Sequence, residues 1–235
     1  MIYVTADLHG DVLRLKEAAI KRLGKRDTLI ILGDFGFLWD GSKREKKLLK
    51  WLGRRRYQLL FVDGAHENYD LLAGYPVEPL LGGQARHISG KLYQLMRGEI
   101  YTIEDKTLLC FGGGESEDRD EREEGKTWWR AELPSQFQMD RCNETLAAHG
   151  GKVDYVLTHT PSYRLRRFLM GEVAETNRLE TFLDTVADSV QYDCWYFGHC
   201  HRDLAVSPKA VAVYRKVLPL WPQQKKRFFQ KKGGQ

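Results

Sequence analysis

Several things are scarce or missing in this chain of 235 residues, and each absence narrows the reading. There is no apolar run of about 18 residues, so no membrane-spanning helix is expected. The opening residues, MIYVTADLHG, lack a basic segment followed by a long apolar one, so no signal peptide is expected either. Cysteine is limited to Cys110, Cys142, Cys194 and Cys200, with no CxxC spacing. These read as reduced thiols, and the expected location is the cytoplasm. Neither sign of charge dominates: 37 Lys and Arg face 32 Asp and Glu, a net charge of +5. That balance suits a small anionic substrate and makes no demand for nucleic acid. No membrane partner and no stable nucleic-acid partner are therefore expected. No internal repeat and no linker interrupts the chain. It reads as one domain over residues 1–221, followed by a basic tail over 222–235.

What is present is an alternation of short apolar runs and amphipathic stretches. MIYVTA, TLIIL and YQLLFV read as strands. Between the first two, Asp11 is placed to cap a helix bearing Val12, Leu15, Ala18, Ala19 and Leu23, with Gly24 past its end. SKREKKLLKWL reads as a second helix, capped by Ser42. From Ala85 to Phe111 the pattern changes to ARHIS, KLYQL, EIYTIE and KTLLCF, which suggest antiparallel hairpins. PSQFQMDRCNETLAAHG and TNRLETFLDTVADSV read as helices, VDYVLTH and DCWYFGH as strands, and LAVS with AVAVYR as a closing hairpin. The fold class expected from this pattern is a layered α/β (α+β) domain.

The chemistry-bearing residues cluster where expected strands end. Asp7-Leu8-His9 follows the first, Gly33-Asp34 the second, and Gly64-Ala65-His66-Glu67 the third. His159 follows VDYVLT, and Gly198-His199-Cys200-His201 follows DCWYF. Ligands of α/β sheets gather outside the carboxyl ends of the strands, so five distant loops can converge. Carboxylates and imidazoles together suit divalent transition metals. A lone Asp-x-His or Gly-Asp is common by chance; five such elements in order, each after an apolar run, are not.

DLHG, GDFG, GAHE, THTP and GHCH resemble the motif series of the calcineurin-like metallophosphoesterases: DxH, GD, GNH[DE], a later His, and GHxH. The resemblance spans about Met1 to Leu220. It implies a central β-sandwich flanked by helices, with two divalent metal ions at the sheet edge: manganese first, iron or zinc as alternatives. Position by position, it implies that Asp7, His9 and His201 hold one ion, His159 and His199 the other, and Asp34 bridges both. His66 would act as proton donor or charge stabiliser, so His66 and Asp34 are the catalytic candidates. Cys200, between two ligands, reads as a spacer pointing away, with a thiol near metal that is open to oxidation. The implied reaction is hydrolysis of a phosphomonoester or a nucleotide-type phosphodiester by hydroxide held between the ions.

One position departs from the series. Ala65 stands where the family has Asn, whose amide oxygen serves the second ion; a methyl group offers no such oxygen. Impaired catalysis follows from that loss. An exchange made to trap substrate and a natural variant with altered metal use both fit, with the first favoured. Two other functions stay open: a Ser/Thr-type phosphoprotein phosphatase, and a catalytically impaired metal-binding scaffold for a phosphorylated partner. The family's protein phosphatases carry GDxxDRG, whereas this chain has GDFGFLWDG, which weighs against the first. Residues 112–130 read as a lid over the substrate, a small phosphorylated molecule with nucleotides among the candidates. Arg97, Arg119 and Trp128 are the substrate-binding candidates, through guanidinium contacts with phosphate and stacking on a base.

Overall fold

Strand residues buried on both faces can only be satisfied between layers, and that requirement sets the architecture. The structure is a computed structural model and describes residues 1–116, 118–171 and 175–220. Its first half contains β1 (Ile2–Thr5), α1 (Ala18–Lys21), β2 (Thr28–Leu32), α2 (Lys43–Gly53), β3 (Gln58–Val62) and α3 (Tyr69–Ala73). β4 (Val77–Leu80), β5 (Gly83–Ser89), β6 (Leu92–Leu95), β7 (Glu99–Ile103) and β8 (Lys106–Phe111) follow. The second half holds α4 (Gln136–Ala148), β9 (Tyr155–Thr158), α5 (Tyr163–Met170), α6 (Arg178–Ser189), β10 (Cys194–Phe197), β11 (Leu204–Ser207), β12 (Ala210–Ala212) and β13 (Leu218–Pro219).

The strands form two sheets, ordered β13-β1-β2-β3-β6-β5-β4 and β11-β12-β10-β9-β8-β7. Alternation along each strand assigns its two faces. Ile30, Leu32, Leu60 and Val62 of the first sheet meet Leu108, Cys110, Tyr155 and Leu157 of the second, and this is the sandwich core. Leu29, Ile31, Leu59 and Phe61 point the other way, onto Ile20, Leu49, Leu52 and Leu72 of α1 to α3. Phe111, Val156, Trp195 and Phe197 pack outward on Met139 and Leu146 of α4 and Leu179 and Leu183 of α6. The result is helices, sheet, sheet, helices, the expected sandwich. No helix among the described residues is long and apolar enough to cross a membrane.

The helix termini follow their caps. Ser42 Oγ accepts the Glu45 amide at 3.1 Å, and the Glu45 carboxylate reaches back to the Trp39 and Asp40 amides, both at 2.7 Å. Ser135 and Gln138 form a complete capping box at the start of α4. One expected helix is corrected. The Asp11–Leu23 stretch is a 3-10 turn over Arg14–Lys16 and the short α1, broken by Glu17 at φ −62°, ψ 149°. The physical reason is Arg14, which leaves the surface. Its guanidinium donates to Ala6 O and Asp7 O, each at 3.0 Å, and to Tyr214 O at 2.7 Å. A cation serving the end of β1 cannot also sit on the outer face of a regular helix. α3, α5, β4 and β13 were not expected from the pattern. The tail over 222–235 lies outside the described residues.

Glu67 fixes the turn after β2. It is buried, and its carboxylate accepts the Phe35 amide at 2.7 Å and the Gly36 amide at 3.4 Å. Burial pushes its carboxyl well above the usual range. Glu67→Ala should cost about 1–3 kcal/mol, because it leaves amides of a buried turn without an acceptor. Glu67→Gln keeps an acceptor oxygen and should lose less. Urea unfolding of the two variants measures this, and equal midpoints would show that the carboxylate does not hold the turn.

Candidate metal centre

Each motif residue sits just beyond a strand: Asp7 after β1, Asp34 after β2, Ala65 and His66 after β3, His159 after β9, and His199 after β10. The backbone there is unusual. Asp7, His9, Asp34, His199 and His201 have φ between 46° and 64°, the left-handed region. They are five of the eight non-glycine residues in that region among the described residues. Each such conformation costs roughly 1 kcal/mol, and strain of this kind marks functional sites. Two glycines make the convergence possible. A Cβ on Gly33 would lie 2.2 Å from the His159 ring, and one on Gly64 would lie 2.2 Å from the Asp34 amide nitrogen.

Asp34 is the hub. Its Oδ1 accepts the Ala65 and His66 amides at 2.8 and 3.0 Å, and lies 3.4 Å from His159 Nε2. Its Oδ2 meets His66 Nδ1 at 2.9 Å and His9 Nδ1 at 3.7 Å. Asp7 Oδ1 accepts the His199 amide at 3.2 Å, and Asp7 Oδ2 lies 3.9 Å from His201 Nε2. Ligating atoms fall into two groups, each within 4.8 Å: Asp7–Asp34–His159 and His9–Asp34–His66. Asp34 belongs to both.

These donors fit divalent cations. Asp7 Oδ2 and His159 Nε2 are buried and lack a hydrogen-bond partner, which is costly unless another species supplies one. His9 Nε2 and His201 Nε2 face each other at 3.2 Å, so one must bring a proton or both must share a cation. Burial pushes Asp7 up to about 7, and the same burial takes His199 down to about 3. Burial would also raise Asp34, yet His159 and the His66 hydrogen bond hold it well below the usual carboxylate range. Buried carboxylates and imidazoles, mutually incomplete, are what a cation site presents before its charge is added.

The grouping differs from that implied by the motif series in two respects. His159 falls in one group with Asp7 and Asp34, and His66 in the other with His9 and Asp34. The cluster opens into a cleft of about 610 Å³ lined by His9, Ala65, His66, Ser116, His199 and His201. Cys200, expected as a spacer pointing away, also lines the cleft, and burial pushes its thiol up to about 12.

The structure does not bring the three substrate-binding candidates to this cleft. Arg97 lines a separate cavity, and its guanidinium is used by Asp63, Tyr69, Ala131 O and Glu132 O. Arg119 pairs with Glu115 in the adjoining cleft. Trp128 donates to Glu132 Oε1 at 2.6 Å, and Trp129 is buried, donating to Asp70 at 2.9 Å. Both tryptophans are thus anchored to the loop's own supports.

Two other arginines do reach the cleft. Arg122 Nη2 lies 3.3 Å from His66 Nε2, its guanidinium held in a two-point fork by Asp118. Arg166 on α5 lines the cleft and pairs with Glu180. The cap signal Ser162 before YRLRRFLM could have revealed α5 and so Arg166; nothing local distinguishes Arg122 from its basic neighbours.

No curated protein is significantly similar to the chain in sequence. Among solved structures, a phosphopantetheinyl hydrolase from Mycobacterium tuberculosis is similar at 17% identity and a TM-score of 0.41, covering 91% of this chain and 89% of its own. A protein of unknown function from Aquifex aeolicus is similar at 13% identity and a TM-score of 0.38, covering 82% of this chain and 87% of its own. The family model for calcineurin-like phosphoesterases matches residues 1–203, which include every one of the strand-end motifs described above. With that match over a layered sandwich whose strand ends carry the acid and histidine cluster, the chain belongs to the calcineurin-like phosphoesterase family.

Proposed function

We propose that this chain hydrolyses phosphate esters at a two-cation centre, acting on a small phosphomonoester or a nucleotide-type phosphodiester. The observation that carries the reading is Asp34, whose two oxygens face different candidate ligands, His9 at 3.7 Å and His159 at 3.4 Å. Asp7, His9, His159, His199 and His201 supply the remaining ligands. Bound divalent cations, manganese first, would neutralise phosphate charge and acidify a water at neutral pH.

The protein's own residues orient the substrate and manage protons. His66 is fixed through Nδ1 on Asp34, which leaves Nε2 toward the cleft and Arg122. In this contact Nε2 accepts from Arg122; protonated, with that contact released, it can donate to a departing oxygen or stabilise its charge. Arg122 spends its Nε–Nη2 fork on Asp118 and Nη1 on Thr127 O, so it serves substrate through charge beside His66. A fork contact with phosphate requires that the Asp118 pair open. Glu132 supports the loop from behind. Fully buried, it accepts the Ser116 amide and hydroxyl and the Trp128 indole, so Ser116 is held at the cleft wall.

Ala65 weakens the centre without dismantling it, because its amide still holds Asp34. Ala65→Asn, supplied with manganese, should raise hydrolysis of a generic aryl phosphate monoester or diester by at least about tenfold. No hydrolysis by that variant would favour a phosphate-binding scaffold over an enzyme. In the same background, His66→Ala should lower turnover while bound metal, measured by elemental analysis, stays constant. Metal falling in step with activity would make His66 a ligand. Manganese alone should also protect the fold: at about a hundredfold excess over its dissociation constant, stabilisation of about 2.7 kcal/mol is expected. A melting temperature indifferent to manganese would remove the cation site.

A further inference from the structure

The mild net charge of this chain conceals one strongly basic surface. Residues 43–56, which include α2, carry eight cations and one carboxylate, Glu45, a net +7 against +5 for the whole chain. Glu45 is turned inward onto backbone amides, so the outer face is uniformly positive. Lys43, Arg44, Lys46, Lys47, Lys50, Arg54 and Arg56 are exposed, and among the described residues none makes an ion pair.

Their spacing gives the surface a shape. Lys43, Lys47, Lys50 and Arg54 follow one another at intervals of four, three and four, which puts them in one row along the helix. Eleven residues of helix make that row about 16 Å long. Like charges at these intervals repel and destabilise a helix, and Lys43 and Arg44 in the first turn also oppose its dipole. Local stability therefore works against this arrangement. Beside the row, Trp51 is 36% exposed, and the Arg55 guanidinium lies 3.6 Å from its ring centroid.

We infer that the outer face of α2 is a docking surface for single-stranded nucleic acid. A repeating phosphate backbone is the anion that matches a linear row of cations, and an exposed indole next to a guanidinium offers planes on which bases stack. A membrane surface fits less well, because a helix lying in lipid turns its apolar face outward. In α2 that face, Leu49 and Leu52, is in the core. A protein bearing one phosphorylated residue would need a pocket, not a row. None of the residues on this face lines the cleft at the metal centre, and the inference does not depend on catalysis.

The test is binding of the full chain, metals chelated, to a fluorescein-labelled single-stranded oligonucleotide of about twenty residues across a salt series. Binding should weaken steeply with salt. The variant Lys43→Gln, Lys47→Gln, Lys50→Gln, Arg54→Gln should bind at least about tenfold more weakly and flatten the log–log salt slope by about 2–3. Trp51→Ala should weaken binding about fivefold with little change in slope. The fourfold variant keeps or raises its melting temperature, since every exchanged residue is exposed and the repulsion along the row is relieved. Unchanged binding by it would assign any affinity to another surface, such as the basic tail, and overturn the proposal. So would preference for phosphatidylserine vesicles over the oligonucleotide, or binding to neither.

Discussion

The site depends on one buried carboxylate being held in place before any cation arrives. Asp34 leaves β2 in a left-handed conformation, is buried, and has two amides of the next motif on one oxygen and an imidazole on the other. Those contacts join the ends of β2 and β3. The close approach of Gly64 to the Asp34 backbone makes the junction too tight for any side chain at position 64. Since His9, His66 and His159 all lie within 4 Å of Asp34 oxygens, a shift of this carboxylate would break its contacts with all three together. The cluster's electrostatics are unbalanced without a cation. The environment that pushes Asp7 up depresses His199, so neither neighbour resolves the other's burial.

A second set of carboxylates performs a different task, as acceptors for irregular backbone. Glu67 holds the turn after β2, Glu45 holds residues 39 and 40, and Glu132 holds Ser116. Asp203 accepts the amides of Tyr214, Arg215 and Lys216. Loops at the end of a sheet have amides that no ladder satisfies, and a charged acceptor binds them more strongly than a neutral one. Asp63 extends the logic inward: it receives Gln94, Tyr69 and Arg97 beneath the third motif. The loops that carry the candidate ligands are thus held by carboxylates, buried at Glu67, Glu45, Glu132 and Asp63 and half-buried at Asp203.

This division explains which features could be read from sequence. Each strand-end motif follows an apolar run, so periodicity locates the strand end and composition names the candidate ligand; the convergence of Asp7, Asp34, His159 and His199 was accessible this way. β2 and β9 were legible because a run of four or five apolar and β-branched residues bounded by polar ones has few other uses. Supporting contacts leave no such trace. The Arg97–Asp63 pair spans 34 residues, and the Arg122–His66 contact spans 56. Nothing in the neighbourhood of either arginine says which faces substrate and which serves the core. β4 was illegible for a related reason, since Pro79 on an edge strand reads as a turn. Arg14 shows tertiary demand overriding local pattern, with three backbone carbonyls outweighing a regular helix.

The same separation of tasks bears on Ala65. In the family's motif series this residue has two roles, a main-chain one and a side-chain one. The main-chain role survives here: the Ala65 amide donates to Asp34 in the same loop that presents His66. Only the oxygen of the absent amide side chain is lost. Because Ala65 is buried against the segment carrying Gly114, its methyl closes the wall without disturbing the ligands around it. Position 65 therefore keeps its main-chain part in building the centre and gives up the side-chain part. It acts on what the centre holds and how strongly, which is why the remaining motifs can stay intact while this one differs.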